Sequence, residues 1–195
     1  MAKTSRKIKT IEFCTGGVAL TLMICMLMLR PPTVASGPVA GPEYEVKIGF
    51  IYNFANFVTW PEEAFKSGNG PLVLCFASDN PSSDVSFKLD SKIIKGRKVK
   101  VISYREENCL EQSHIFFFGT QDREFIQKIL SLAKGRSILT IGEVEGFTRM
   151  GGIINFFEER NRLRFQINIG AANRAGLKLS SQLLVSAQIV KEEHE

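Results

Sequence analysis

Histidine is scarce in this 195-residue chain: only His114 and His194 occur, with no spacing that would assemble metal ligands. No G-x-S-x-G elbow, phosphate-binding loop or G-x-G-x-x-G run is present. Glu158 and Glu159 are neighbours, so they sit on opposite strand faces or in a turn and do not make a catalytic carboxylate pair. These absences leave a hydrolase or an oxidoreductase little to stand on, and no cofactor is expected. One tryptophan and three tyrosines stand against fifteen phenylalanines, so the core is expected to be built on Phe. Internal repeats and low-complexity segments are lacking as well. So is an excess of charge outside the leader. Residues 1–36 hold five of the 25 basic and one of the 20 acidic residues, which leaves 20 against 19 and a net charge near +1. A balance so even gives no general case for nucleic acid or an anionic membrane as partner.

Residues 1–36 read as a secretory signal peptide or an uncleaved N-terminal anchor. A basic start (Lys3, Arg6, Lys7, Lys9) precedes a 17-residue apolar run, Phe13–Leu29, then Pro31, Pro32 and the small residues Thr33-Val34-Ala35-Ser36-Gly37. The run is long for a signal core and short for a spanning helix. Cys25 follows Ile24, which argues against a lipoprotein. Residues 37–43 form a Gly/Pro linker, 44–190 a single domain and 191–195 a charged tail. In either form of the leader, residues 37–195 are expected outside the cytoplasm.

Within the domain, Phe50, Ile51, Phe54, Phe57 and Val58 recur at helical spacing, and Pro61 ends that helix. Leu72–Ala77 is an apolar run suited to a strand buried on both faces. Asn80–Ser83 reads as a helix start and Val85–Leu89 as a brief helix. Lys98–Ser103, His114–Gly119 and Ser137–Gly142 read as further strands, with a helix from Asp122 to Ala133 capped by Thr120. Alternating helices and strands predict an α/β fold with a mostly parallel central sheet flanked by helices. Ile153–Phe157 and Leu163–Ile169 flank the polar stretch Glu158-Glu159-Arg160-Asn161 and predict a C-terminal antiparallel hairpin. Ala171–Gly176 and Ser180–Val190 read as a closing helix, whole or broken, with Leu183, Leu184, Ala187 and Val190 inward. Gly146, Gly151 and Gly152 mark either a bend between strands or a backbone cradle for an anion.

Outside the leader only Cys75 and Cys109 remain, one in a buried strand and one in a polar loop. In an oxidising compartment a single pair is a disulfide candidate. A redox-active pair and two unpaired thiols are the alternatives.

Three stretches, taken in order, resemble the YfiR/HmsC-like family of periplasmic proteins. Lys47-Ile48-Gly49-Phe50-Ile51-Tyr52-Asn53-Phe54-Ala55-Asn56-Phe57-Val58-Thr59-Trp60-Pro61 resembles its opening. Gly151-Gly152-Ile153-Ile154-Asn155-Phe156 and Leu163-Arg164-Phe165-Gln166-Ile167-Asn168 resemble its hairpin. Ala171-Ala172-Asn173-Arg174-Ala175-Gly176-Leu177-Lys178-Leu179-Ser180-Ser181-Gln182-Leu183-Leu184 resembles its last helix. The resemblance implies a non-enzymatic α/β domain that represses an inner-membrane diguanylate cyclase by binding that enzyme's periplasmic region. It also implies a homodimer and a disulfide between a strand and a later loop, in agreement with Cys75 and Cys109. A second bridge that some members carry near the hairpin has no counterpart here.

A repressor needs a surface, and the candidates for ligand or partner binding are Arg149, Arg164, Arg174, Asn168, Trp60 and Asn53. Arg164 projects opposite to Leu163 and Phe165. If the hairpin gathers Arg149, Arg164 and Arg174, their guanidinium forks suit a phosphate, a carboxylate or an acidic loop; three separately solvated arginines are the alternative. Asn168 either assists them or pins the strand edge. Trp60 is either a rim anchor for a partner or a plug in the core. Asn53 and Asn56 either face a partner or cap nearby backbone. A sensor for a small anionic metabolite, feeding another membrane receptor or kinase, is the competing function.

Overall fold

The computed structural model describes residues 42–65, 68–78 and 88–190. The leader, the predicted helix start at Asn80–Ser83, most of the brief helix after it and the charged tail lie outside those residues. The elements in chain order are α1 (Pro42–Phe57), β1 (Val58–Thr59), a 3-10 turn (Glu62–Ala64), β2 (Leu72–Ser78), β3 (Ile93–Ile94), β4 (Arg97–Ser103), α2 (Cys109–Gln112) and β5 (Ile115–Gly119). They continue with α3 (Arg123–Ala133), β6 (Leu139–Gly142), β7 (Ile154–Glu159), β8 (Arg162–Asn168), α4 (Ile169–Arg174), β9 (Lys178–Leu179), α5 (Ser181–Val185) and β10 (Gln188–Val190).

Eight strands form one sheet in the order β10-β8-β7-β6-β5-β2-β4-β3, and β1 pairs separately with β9. The pairs β4·β2, β2·β5, β5·β6 and β6·β7 are parallel. The α/β class and the mostly parallel sheet are thus as the sequence predicts, and the antiparallel β7–β8 pair is the predicted hairpin.

Alternation along the strands sorts the core into two. Leu72, Leu74 and Phe76 of β2 join Ile115 and Phe117 of β5 on one face, under Ile48, Ile51, Phe54 and Ala55 of α1 and Leu183 of α5. Val73, Cys75 and Ala77 join Phe116 and Phe118 on the other, under Ile126, Ile129, Leu130 and Ala133 of α3. The second cluster holds no residue of β7 or β8. Cys75 is bonded to Cys109, with Cα atoms 6.0 Å apart, which ties the start of α2 to the centre of β2. Cys109 opens a short helix where a loop is predicted.

Three local readings are corrected. The cap of α3 is Asp122, whose carboxylate accepts from the Phe125 amide at 3.0 Å; Thr120 instead accepts from the Asp122 amide. The polar stretch at the hairpin closes in two residues, with Arg160 at φ 50° and Asn161 at φ 62°. That is the doubly left-handed turn whose twist matches the flanking strands. The closing helix stops at Val185, and Gln188-Ile189-Val190 pairs in parallel with Gln166-Ile167-Asn168. The free edge of β8 offers ladder bonds to a segment containing two β-branched residues, and tertiary pairing overrides the helical spacing.

The glycine cluster makes a bend. The loop after β6 folds back so that the Phe147 ring packs on Gly142 and Gly152, where a Cβ would come within 2.5 Å and 2.0 Å of ring carbons and clash. Gly151 takes φ 97° in the same turn.

Candidate functional site

The β7–β8 hairpin outruns the sheet that carries it. β6 pairs with β7 only at Ile154 and Asn155, and β10 pairs with β8 only from Gln166 to Asn168. The hairpin ladder continues through Phe156↔Phe165, Phe157↔Arg164, Glu158↔Leu163 and Glu159↔Arg162. Among the described residues these four pairs have no other strand beside them, so a two-stranded arm projects roughly 13 Å past its neighbours. A bare ribbon of that length is marginal by itself. Its root is aromatic: Phe54 lies 4.8 Å from Phe165 and 5.6 Å from Phe156, and Phe50 lies 5.8 and 5.9 Å from the same two rings.

At the tip, Glu159, Arg160, Arg162 and Arg164 line a groove. Arg164 and Glu159 approach to 3.8 Å, with more than half of each side chain in solvent. Such a pair contributes little to stability. Three guanidinium groups against one carboxylate leave the groove cationic.

The six predicted surface residues fare differently. Arg164 is exposed and opposite to Leu163 and Phe165, as its strand position predicts. Arg149, Arg174 and Asn53 are exposed too. Yet the groove is completed by Arg160 and Arg162; Arg149 and Arg174 do not line it. Asn168 is fully buried: its amide donates to the Thr148 carbonyl at 2.9 Å, and its side-chain oxygen caps α4 through the Ala171 amide at 2.8 Å. It therefore offers no surface. Trp60 is buried as well, with its Nε1 donating to the His114 carbonyl at 3.1 Å, and is a core plug rather than a rim anchor. The amide of Asn56 bonds back to the Tyr52 carbonyl at 2.9 Å, a local contact within its helix.

The carboxyl ends of parallel strands are where open α/β sheets usually take ligands, at the point where strand order reverses. Here that point lies between β2 and β5, and side chains at this end of the sheet close on one another. Lys47 Nζ is 2.6 Å from Glu143 Oε2 and 2.8 Å from Glu43 Oε1. Tyr44 donates to Glu143 Oε1 at 3.4 Å. Burial opposes the charge on Lys47, but hydrogen bonds and attraction from Glu143 and Glu43 prevail and hold its pKa above the ordinary lysine value. Burial, with the Glu143 charge beside it, pushes the Tyr44 phenol up. This cluster is a clasp that fastens the start of α1 to the sheet.

At the opposite end His114 is buried, stacked on Phe65 with ring centres 4.5 Å apart. Its Nδ1 accepts from the Val73 amide at 3.1 Å, so the neutral ring carries its proton on Nε2, facing the Ala64 carbonyl at 3.2 Å. Burial drives its pKa below the usual histidine value; the Ala64 contact works against this and the nearby Arg97 charge adds to it.

Sequence reasoning passed over Arg160 and Arg162, although a signal was present. Arg162 and Arg164 are two apart in a strand and share a face, and Arg160 continues that spacing into the turn. Among the described residues no group of three or more His, Cys, Asp or Glu side chains is placed to hold a metal ion, and none of their helices is long and apolar enough to cross a membrane. What the arm can do is present forked donors to carboxylate or phosphate oxygens. In comparison with known families, a model described as YfiR/HmsC-like matches residues 44–188.

Proposed function

Because the chain belongs to the YfiR/HmsC-like family, we propose that it is a periplasmic regulatory protein that binds and represses a membrane-bound diguanylate cyclase, lowering cyclic di-GMP output. The observation that carries this reading is the extent of the match, which runs from the first turn of α1 into β10 and so spans both the sheet and the arm. A protein that works by binding needs a rigid body and a presented surface. The disulfide-tied sheet supplies the first and the projecting hairpin the second.

The test is genetic and quantitative. Removing the chain from its cell should raise cyclic di-GMP, and supplying the full-length chain should restore it. A cyclic di-GMP level that stays the same with and without the chain contradicts the reading.

A further inference from the structure

We infer that the overhanging arm docks an acidic polypeptide segment of the regulated partner, with Arg160, Arg162 and Arg164 receiving its carboxylates. This rests on the reading of the chain as a binding regulator and names the chemistry that its surface would recognise.

Four observations converge on the arm. First, it reaches past β6 and β10, so a partner can approach it without meeting the rest of the sheet. Second, its outer strand edges are open among the described residues, as strand or loop addition requires. Third, the groove at its tip is lined by three arginines and one glutamate, while the chain outside the leader is nearly neutral; the positive charge is local. Complementary charge of this kind steers encounter and fixes register. Fourth, Arg160 holds a left-handed backbone at φ 50°, a position that Asn or Gly fills more cheaply. An arginine there spends turn stability on a guanidinium in the turn that closes the arm.

Geometry also separates a polypeptide from a small anion. Sites for small molecules are concave and bury most of the ligand. All four side chains that line this groove are exposed and stand on a ribbon two strands wide, which suits a partner that brings its own walls.

The experiment uses the full-length chain in its own cells, with a photo-crosslinking amino acid replacing Phe157, which pairs with Arg164 and shares its face of the arm, or, as a control, Ile93 on β3 at the far edge. Cross-linked peptides are identified by mass spectrometry, and cyclic di-GMP is measured in parallel. Two further chains carry Arg160, Arg162 and Arg164 all changed to Glu, or all to Lys. The expected result is a cross-link from position 157, and not from 93, to an Asp/Glu-rich segment of a membrane protein. The Glu chain should lose that cross-link and bring cyclic di-GMP to the deletion level, while the Lys chain keeps most of both. A cross-link from 157 to a second copy of this chain, cross-links from 93 alone, or none from the arm overturns the inference. If deletion raises cyclic di-GMP and the Glu chain does not, the docking surface is wrong and the regulatory reading stands. If deletion changes nothing, the regulatory reading falls, and the identity of the cross-linked segment still judges the arm.

Discussion

The parallel half of the sheet and the β7–β8 arm are made of the same alternating strands, yet they are finished in opposite ways. β2 and β5 have a strand on each side and a helix layer on each face, and every residue of β5 is buried. The arm has one face rooted on α1, the other beyond the reach of α3, and a tip of charged side chains. Strands that are covered everywhere have no surface left to offer. The hairpin, secured at its base by four phenylalanine rings, can extend because its stability is borrowed from the body. Rigidity and presentation are divided between the two regions.

The joint between them is the most sensitive point. Phe54 is fully buried and touches both Phe156 and Phe165. Phe54→Ala should cost about 3–5 kcal/mol in denaturant unfolding and loosen the arm, seen as faster amide exchange from 156 to 165 than in β5. A loss below about 1 kcal/mol would mean that the rings do not support the arm.

Next comes the bridge, which acts on the body alone. Cys75 and Cys109 close a loop of sequence separation 34, and replacing both with serine should cost about 3–4 kcal/mol on the chain-entropy argument. Intact mass with and without reductant verifies the bond, and chemical denaturation measures the loss. Equal stability of the oxidised and serine forms would contradict a structural role.

His114 gives a smaller, pH-dependent effect. Its folded pKa is depressed, so the unfolded chain binds a proton that the folded chain refuses. Its contribution is therefore fully present above the ordinary histidine pKa of about 6.5 and is lost as pH falls below it. Protonation would also set an N–H at Nδ1 against the Val73 N–H that now donates to it. Unfolding measured from pH 7.5 to 5.5 should show stability declining, and His114→Gln should flatten that decline. An unchanged slope in the variant would remove His114 from the account.

The smallest expected change in stability is at the tip. The arginines there are exposed, and the Arg164–Glu159 pair is open to solvent, so Arg164→Ala should move unfolding by no more than about 0.5 kcal/mol. A large loss would make the arm part of the core framework and erase the division drawn above.

How far the sequence reveals this depends on range. β2 and β5 are legible because strands buried on both faces must be continuously apolar, as Leu72–Ala77 and Ile115–Phe118 are. The hairpin is legible from two alternating runs around a polar turn. β1, β3, β9 and β10 are two or three residues each, and what makes them strands is the partner, which no local pattern records. Strand alternation places Arg164 and Asn168 on one face but says nothing of distance along it; four residues separate them by roughly 13 Å, and Asn168 is consumed as a cap. Trp60 is ambiguous in sequence because the same amphipathic ring serves rims and cores, and only the His114 carbonyl waiting for its N–H decides.

One measurement bears most directly on the claim that this chain regulates by binding. The cell's membrane-bound diguanylate cyclase is reconstituted in vesicles with its non-cytoplasmic region outward, and cyclic di-GMP synthesis is followed as the purified, oxidised chain is added. Synthesis should fall in a saturable manner with the native chain and persist when Arg160, Arg162 and Arg164 are all glutamate. Synthesis indifferent to the native chain at every concentration would contradict the account.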